Sequence, residues 1–406
     1  MRVYLVGGAV RDEQLGLPVK ERDWCVVGAT PDELVDAGYK PVGKDFPVFL
    51  HPHSREEYAL ARTERKTAPG YHGFDFDTSP EVSIEEDLGR RDLTINALAK
   101  DDAGRLIDPF GGVQDLRRRL LRHVSPAFAE DPVRILRVAK FAARYAALGF
   151  RIAPETRDLM RGMVANGEAD ALVPDRVWKE TEAALCGPNP RLFFEALRGC
   201  GALEVVFPEV DQLFGVPQPV KWHPEVDTGL HTMLVIDEAE KLSDALEVRF
   251  AALVHDIGKA ATDARDLPSH PGHETRGAGM IRAMAKRLPL PKACRDLGML
   301  VAEYHTHCHR AMELRSSTVV KLLESVDAFR RPDRFELFLA ACEADARGRT
   351  GLEKRDYPQA DRLRAALVAA NSVDSAEIAG NAGDRDIGTD IRRARVRAVA
   401  EVLAGD

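Results

Sequence analysis

Two carboxylates near the amino terminus stand two positions apart, and a glycine turn precedes them. Gly7-Gly8 follows the strand-like segment Tyr4-Leu5-Val6, and a helix start follows the turn. Backbone N–H groups at such a turn, with the positive end of a helix, can hold phosphate oxygens. Side chains at i and i+2 of an extended segment share a face, so Glu21 and Asp23 can hold Mg²⁺ against a triphosphate. Residues 1–25 therefore predict metal-dependent transfer from a nucleotide.

Two later segments offer groups that can bind a nucleotide. Arg91 carries a planar fork of donors that suits phosphate oxygens. Asp131 accepts hydrogen bonds and Arg134 donates them, so a rigid pair can match the Watson–Crick edge of a base. The alternatives are a capped helix with surface arginines, and an acid that stabilises its helix dipole and pairs with Arg134 at i, i+3.

Hydrophobic patterning predicts mixed α/β structure over residues 1–125 and helices from about residue 126 onward. Thr30-Pro31-Asp32-Glu33 combines an N-cap with proline at the first helical position. Residues 63–80 are rich in Gly, Pro, Asp and Lys and predict a long mobile loop. The candidate strands are 2–6, 23–27, 47–51 and 57–61, and the candidate helices are 9–16 and 31–37.

Histidines are concentrated in one part of the chain, since eight of the twelve lie between His223 and His309. His231, the pair His255-Asp256 and the distant Asp345 form a pattern of imidazoles and carboxylates. Such a set suits a divalent transition metal, which lowers the pKa of bound water and supplies a nucleophile. A site that has lost catalysis and only supports the fold is the alternative.

Composition limits the classes of protein that fit. The chain has 406 residues, which predicts two to four domains, and no run of 18 apolar residues that would predict a membrane span. Six scattered cysteines and no signal-peptide pattern favour the reducing cytoplasm. The net charge is −8, yet residues 117–151 hold nine Lys or Arg against two acids. This basic segment suits a polyanion, although solvated helix faces would have the same composition.

The order of these segments resembles the class II tRNA nucleotidyltransferases, the CCA-adding enzymes of the polymerase-β-like superfamily, and especially bacterial members with an HD phosphohydrolase domain. The resemblance extends over nearly the whole chain. It rests on the stretches YLVGGAVRD, ERDWCVVG, DFPVFLHP, EEYALARTERK, RRDLTINALA, AEDPVRILRVAKFAARY and KWHPEVDTGLHT.

The resemblance implies an α+β fold with a nucleotidyltransferase head at 1–125 and a helical neck at 126–222. An HD domain at 223–345 and a helical tail at 346–406 would follow. The best linker candidates are 187–190 and 215–224, which are rich in Pro and Gly.

The resemblance also implies the roles of residues in the head. Glu21 and Asp23 would bind Mg²⁺, and Glu57 stands where some relatives have a third carboxylate. The loop 63–80 would assist the change from adding C to adding the final A. The residues implied to contact CTP or ATP are Gly8, Arg11, Arg91, Asp131, Arg134, Arg137 and Lys140. Two positions depart from the family pattern: Glu21 replaces the usual Asp, and Lys140 replaces Arg, which removes bidentate hydrogen bonding and predicts a modest loss of nucleotide affinity.

In the HD region the resemblance implies His231, His255, Asp256 and Asp345 as ligands of a divalent transition metal, with Ni²⁺ expected. His270, His273 and His305 are candidate ligands of a second site. The implied function is addition of C, C and A to the 3′ end of tRNA from CTP and ATP. The implied accessory activities are 2′,3′-cyclic phosphodiesterase, 2′-nucleotidase and phosphatase, in a cytoplasmic monomer or homodimer without a membrane partner.

Three other functions each agree with part of the sequence. A poly(A) polymerase of the same superfamily would add an A-tail, but the HD pattern and the lack of a long basic tail disfavour it. An RNA-binding module with an inactive head conflicts with intact acids at Glu21 and Asp23. An HD hydrolase with a nucleotide-sensing head conflicts with the full set of head motifs.

Overall fold

The computed structural model describes residues 1–42, 48–66, 74–380 and 386–404. Contacts divide the chain into two compact units. The first comprises Met1–Ala184 and Leu192–Val206, and the second comprises Leu185–Arg191 and Phe207–Asp406. None of the described helices has the length and apolar character that a membrane span requires.

A seven-stranded mixed sheet forms the centre of the amino-terminal half of the first unit, in the order β3-β4-β5-β2-β1-β8-β9. β2 is antiparallel to β1 and parallel to β5. The strands are β1 Arg2–Val6, β2 Asp23–Val27, β3 Lys40–Pro41, β4 Val48–Leu50, β5 Glu57–Leu60, β6 Thr63–Lys66, β7 Phe74–Asp77, β8 Ala99–Lys100, β9 Leu106–Ile107, β10 Leu120–Leu121 and β11 Arg151–Ile152. The predicted strands 2–6 and 23–27 are confirmed at both ends, and the other two are shorter than predicted.

Successive residues of β2 point to opposite faces of the sheet, and residues on both faces are buried. Cys25 and Val27 belong to one core cluster with Tyr4 and Leu88, whereas Val26 belongs to a second cluster on the other side. The same alternation orients Asp23 towards the side of Cys25 and Val27. That side is also where the helix ending at Gly89 packs, through Leu88.

The segment predicted as a loop over 63–80 differs from the prediction at its described ends. β6 and β7 pair as an antiparallel two-stranded ribbon with Thr63 opposite Asp77. Residues 67–73, the centre of the predicted loop, lie outside the described residues.

Helices make up most of the remainder of the first unit, and their starts follow the capping rules. Thr30 forms a capping box with Glu33, as its sequence predicts, and Ser83 forms one with Glu86. The helices are α1 Gly8–Leu15, α2 Pro31–Asp36, α3 Ile84–Gly89, α4 Gly112–Arg118, α5 Val133–Arg144, α6 Pro154–Ala165, α7 Pro174–Leu185, α8 Pro190–Gly199 and α9 Ala202–Val206.

The described residues of the second unit form helices, with no strand longer than an isolated bridge. α12 lies at its centre against α11, α14 and α16, and its residues from Val248 to Val254 are buried and apolar except for Arg249. The helices are α10 Pro208–Asp211, α11 Thr228–Leu242, α12 Leu246–Val254, α13 His273–Arg287, α14 Lys292–His309, α15 Ser316–Ser325, α16 Pro332–Arg347, α17 Pro358–Asn371, α18 Ser375–Gly380 and α19 Ile387–Leu403.

Gly258 lets the turn after α12 pack directly on the backbone of α13. A Cβ atom at this position would lie 2.6 Å from the amide nitrogen of Gly277. We expect Gly258→Ala to lower the free energy of unfolding by about 2 kcal/mol or more, because two backbones would have to separate. Gly279 on α13 has open space around a built Cβ, so Gly279→Ala should instead raise stability by up to about 1 kcal/mol. Urea denaturation measures both, and equal stability of the two variants would contradict this packing.

Candidate active sites

The residues predicted to bind a nucleotide line one cavity of about 590 Å³ in the first unit. Its wall is formed by the β1–α1 turn, the start of β2, the segment after α3, and α5 and α7. The predicted residues among its lining are Gly8, Arg11, Asp23, Arg91, Asp131, Arg134, Arg137 and Lys140. Glu21 is not among the lining residues and lies two positions before the first residue of β2.

Glu21 and Asp23 influence each other electrostatically, as a pair of cation ligands does. Burial raises the pKa of the Asp23 carboxyl, and the negative charge of Glu21 raises it further, while Arg91 opposes both. A divalent cation beside the two carboxylates would relieve this repulsion, so they fit a hard, oxygen-binding ion. A cation held there supplies positive charge against a triphosphate.

Glu57 stands directly beside Asp23 across the parallel pair of β2 and β5. Neighbouring residues in register on adjacent strands project from the same face. The register is therefore compatible with a third carboxylate next to the predicted pair, although Glu57 is not a lining residue of the cavity.

Asp92 organises the floor of the cavity. Its carboxylate accepts hydrogen bonds from Arg137 Nε at 2.7 Å and from Asn96 Nδ2 at 2.9 Å. Burial alone would raise the pKa of Asp92, but Arg137 and these hydrogen bonds lower it to about 2. Asn96 in turn accepts a 2.6 Å hydrogen bond from Arg11. One buried acid thus fixes two of the predicted nucleotide-binding arginines.

Arg91 is held next to the glycine turn. Its Nη2 lies 3.1 Å from Asp87, which Arg90 also contacts. A Cβ atom on Gly7 would lie 2.7 Å from Nη1 of Arg91, and Gly7 has a φ of 68°. Both facts favour glycine at this turn, because a side chain would displace the guanidinium and strain the backbone.

Asp131 and Arg134 are each held by a residue that lies far away in the sequence. Both oxygens of Asp131 accept hydrogen bonds from Arg176, at 2.9 and 2.7 Å. Arg134 donates to the backbone carbonyls of Ala127 and Arg90, at 2.7 and 2.6 Å. Each side chain is therefore fixed at the cavity wall. Arg176 was missed from the sequence because it lies 45 residues away on α7.

Lys140, the departure from the family's arginine, pairs with Glu180 of α7 at 2.5 Å. Glu180 also lies 3.8 Å from Arg137. The acid thus partly neutralises two cations of the cavity, and nothing in the sequence near Lys140 pointed to it.

The second unit brings the predicted HD residues together in its interior. His231 Nε2 lies 3.1 Å from Asp345, and His255 Nε2 lies 3.1 Å from Asp256 and 3.8 Å from Asp345. Their Nδ1 atoms contact the carbonyls of Gly348 and Ala252. A histidine whose Nδ1–H donates to a carbonyl presents the lone pair of Nε2, which is how metal-binding histidines are usually oriented.

Asp256 lies between two groups of histidines. Its Oδ2 is 3.1 Å from His255 Nε2, whereas its Oδ1 is 3.5 Å from His273 Nε2 and 3.6 Å from His305 Nε2. Ligands of one ion at about 2.1 Å are separated by roughly 3.0–3.5 Å, so these distances suit shared ions. Among the described residues, His255 Nε2, His273 Nε2 and Asp256 Oδ1 are buried without a hydrogen-bond partner. The donor set therefore fits one or two divalent transition metals.

Asp256 and His305 are held in the protonation states that bind a metal, whereas Asp256 and Asp345 outweigh burial and raise the pKa of His255. Burial would raise the pKa of Asp256, but Lys259, 2.6 Å away, and His255 hold it well below its usual range. Burial lowers the pKa of His305 to about 3, so its ring is neutral at neutral pH. Ionised carboxylate and neutral imidazole are the forms that bind a metal.

The candidate second-site histidines do not all reach the cluster. His273 and His305 group with Asp256, whereas His270 has both ring nitrogens occupied, by Thr262 and by the carbonyl of Pro217. His270 is therefore not placed as a ligand.

One further histidine beside Asp345 was not singled out from the sequence. His309 Nε2 lies 2.6 Å from Asp345, and its Nδ1 contacts the hydroxyl of Tyr357. The high density of histidines between 223 and 309 was its only sequence signal.

Comparison with protein families assigns these regions. Residues 3–122 match the Poly A polymerase head domain, 149–214 the probable RNA- and SrmB-binding site of polymerase A, and 228–334 the HD domain. The fold and the two clusters thus define a nucleotidyltransferase that carries an HD domain.

Full-length relatives define the family. The chain is 61% identical over 406 residues to the multifunctional CCA protein of Thioalkalivibrio sulfidiphilus, covering 100% of this chain and 99% of that protein. It is 59% identical to that of Nitrosococcus oceani, covering 99% of each. This chain belongs to the multifunctional CCA protein family. A solved Thermotoga maritima CCA-adding enzyme complexed with tRNA shares the fold, with a TM-score of 0.63 and 19% identity, over 100% of this chain and 91% of that one.

Proposed function

We propose that this protein adds C, C and A in turn to the 3′ end of tRNA, using CTP and ATP without a nucleic-acid template. The 3′-hydroxyl oxygen of the RNA bonds to the α-phosphorus, and the bond to the β-phosphate breaks to release pyrophosphate. The observation that carries this proposal is one cavity holding an acid, phosphate-binding arginines and two fixed polar groups that suit a base.

Glu21 and Asp23 would hold the Mg²⁺ ions of this reaction, with the nucleotide's phosphates as the remaining ligands. Arg11, Arg91 and Arg137 line the same cavity and would bind the triphosphate. Because Asp92 and Asn96 fix two of these arginines, little reorganisation is needed when the nucleotide binds.

Base choice would fall to Asp131 and Arg134. Cytosine and adenine both present an amino group next to a ring nitrogen, whereas uracil and guanine present a carbonyl oxygen at the amino position. A carboxylate accepts from the amino group and a guanidinium donates to the ring nitrogen. The pair therefore suits C and A and disfavours U and G, which explains selection without a template.

Part of the basic segment 117–151 serves the nucleotide rather than the RNA in this proposal, since Arg134, Arg137, Lys140 and Arg144 line the cavity. RNA would bind through phosphate and shape contacts elsewhere on the protein, and the family's tRNA-bound relative supports tRNA as the partner. We expect the protein to act in the cytoplasm, as a monomer or a homodimer.

Incorporation into a tRNA that lacks its 3′ CCA end tests the proposal. CTP alone should add two residues, ATP alone should add none, and both together should add three and stop. A growing A-tail would instead support a poly(A) polymerase.

Arg176→Lys should weaken base selection, because lysine keeps the charge but loses the paired hydrogen bonds that orient Asp131. We expect misincorporation of U or G, relative to C, to rise about tenfold or more, equivalent to roughly 1.4 kcal/mol. Primer extension with single nucleotides measures this ratio. Lys179→Ala, an exposed cation on the same helix, is the control. Unchanged selectivity in Arg176→Lys would show that Arg176 does not position Asp131.

For the second unit we propose hydrolysis of phosphate esters at RNA 3′ ends, namely 2′,3′-cyclic phosphodiesterase, 2′-nucleotidase and phosphatase activities. A tRNA end that carries a phosphate has no free hydroxyl to attack CTP. Hydrolysis of this phosphate would therefore prepare the tRNA for nucleotide addition by the head. His231, His255, Asp256 and Asp345 would hold a divalent transition metal, with Ni²⁺ as first choice, which lowers the pKa of bound water.

The two-sided position of Asp256 leads us to expect two metal ions per chain. One would be held with His231, His255 and Asp345, and the other with His273 and His305. The double variant His273→Ala, His305→Ala should bind one ion fewer than the wild type, measured by elemental analysis after dialysis against Ni²⁺ or Mn²⁺.

His307→Ala provides the control for this count, since His307 is exposed on the same helix as His305. It should retain two ions. One ion in the wild type, or no loss in the double variant, would exclude the second metal.

A further inference from the structure

An exposed tryptophan stands at the cavity that contains the HD cluster. We propose that Trp222 is the surface on which the substrate's terminal nucleobase stacks, so that this site prefers nucleotides to phosphate esters without a base. The inference deepens the proposed hydrolase function and rests on it.

Trp222 and two of the four predicted metal ligands, Asp256 and Asp345, line the same cavity. This cavity has a volume of about 610 Å³, and Trp222, Asp256, His273, His305 and Asp345 all line it. Sites for small molecules commonly measure about 300–1,000 Å³, so there is room for a nucleoside as well as its phosphate. If the metal cluster holds the phosphate of a nucleotide, the base of that nucleotide can therefore reach Trp222 in the same cavity.

The loop that carries Trp222 is closed at its base and strained. Pro217 and Asp227 form an isolated antiparallel bridge, and Gln218 N–H donates to the Val226 carbonyl at 2.6 Å. Val226 has a φ of 60°, which is rare for a β-branched residue. Strain of this kind persists where the surrounding structure fixes it, and it is frequent at ligand-binding sites.

Arg349 connects this loop to the metal cluster. Its Nη1 lies 3.3 Å from the Trp222 carbonyl oxygen, and its Nη2 lies 3.4 Å from Asp345. One guanidinium therefore fixes the spacing between a predicted metal ligand and the backbone of Trp222. A substrate with a phosphate and a base at a fixed separation matches such an arrangement.

The environment of the indole suits a nucleobase. Trp222 is 58% exposed, and Lys221 Nζ lies 4.5 Å from the centre of its ring. Aromatic side chains stack on every base because each base has a π-face, and a nearby cation adds attraction for the RNA backbone. Stacking without base-edge contacts would let the site accept either C or A at a damaged end.

Kinetics with two esters test the proposal. Trp222→Ala should raise the KM for 2′-AMP about tenfold or more with little change in kcat, and Trp222→Phe should restore most of the loss. Both variants should hydrolyse glycerol 2-phosphate, an ester of a secondary alcohol without a base, as the wild type does. Val220→Ala, another exposed apolar residue of the same loop and not a lining residue, is the matched control. If Trp222→Ala changed the KM for both esters equally, or changed neither, the proposed stacking of the base on Trp222 would be wrong.

A binding measurement separates this inference from the hydrolase proposal. Titrating 2′-AMP into metal-free protein, where no hydrolysis occurs, should quench tryptophan fluorescence in the wild type but not in Trp222→Phe. Equal quenching in both proteins, or none in either, would overturn the role of Trp222. Failure of the wild type to hydrolyse either ester with Mg²⁺, Mn²⁺ or Ni²⁺ would refute the hydrolase function, while the quenching result would still decide whether Trp222 binds a base.

Discussion

Asp23→Asn should lower the rate of C and A addition by at least about 10³-fold, equivalent to roughly 4 kcal/mol of lost transition-state stabilisation. The amide has nearly the volume of the carboxylate but lacks its negative charge. It would therefore leave Arg91 and the turn around Gly7 in place while weakening the predicted hold on Mg²⁺. Removing the charge also removes the repulsion between Asp23 and Glu21, so the variant should fold as stably as the wild type.

Single-turnover incorporation of CTP into a trimmed tRNA measures this effect without interference from product release. Asp102→Asn, the same change at an exposed site of the head, should keep full activity. Hydrolysis by the HD domain should also be unchanged in Asp23→Asn. A loss smaller than about tenfold would refute Asp23 as a metal ligand and would favour an RNA-binding module with an inactive head.

The double variant His255→Ala, Asp256→Ala should lower hydrolysis of 2′,3′-cyclic AMP by about 10³-fold or more, while C and A addition stays within about twofold of the wild type. The variant removes two predicted ligands, including the carboxylate that faces both histidine groups. The head residues that line the nucleotide cavity all belong to the other unit of the fold, so their geometry should not depend on this pair.

This variant also leaves the buried ammonium of Lys259 without its carboxylate, so stability needs its own check. Thermal unfolding and the variant Asp256→Asn, which keeps the side-chain volume, separate lost chemistry from lost folding. His307→Ala should keep both activities. Equal loss of hydrolysis and of nucleotide addition in a folded variant would refute two separate sites.

The sequence predicted well those features that depend on neighbouring residues. The bounds of β1 and β2 are confirmed, and α2 begins at the capping box that Thr30 and Glu33 form. Alternation along β2 and the turn at Gly7 likewise depend on a few adjacent residues. Local rules of this kind are sufficient to position Asp23 at the start of a strand beside the turn.

Contacts between distant residues could not be predicted in the same way. Arg176 fixes Asp131 across 45 residues, and Glu180 pairs with Lys140 across 40. No periodicity or motif connects such positions, because α5 and α7 meet only through tertiary packing. Local spacing suggested an i, i+3 pairing of Asp131 with Arg134, whereas the contact of Asp131 with Arg176 involves a residue on another helix.

In the histidine cluster, some positions were predicted from the sequence and others were not. Composition pointed to the region of the proposed metal site, and the resemblance implied four ligands whose side chains the fold brings together. Which of the remaining histidines join them depends on the orientation of each ring. His270 is held away by Thr262 and Pro217, whereas His309, which has no motif of its own, contacts Asp345.

The two departures that the resemblance implies remain predictions, about metal geometry for Glu21 and about nucleotide affinity for Lys140. Lys140 keeps a positive charge at the cavity but shares it with Glu180, which supports a modest loss of nucleotide affinity relative to an arginine. Glu21 adds one methylene to a carboxylate that is exposed and lies ahead of β2.

The most direct measurement is an anomalous diffraction experiment on crystals of this protein soaked with Mn²⁺ and a non-hydrolysable CTP analogue. The account predicts an anomalous peak within about 2.2 Å of a carboxylate oxygen of both Glu21 and Asp23, in contact with the triphosphate. A bound nucleotide with no cation beside those two side chains would contradict it.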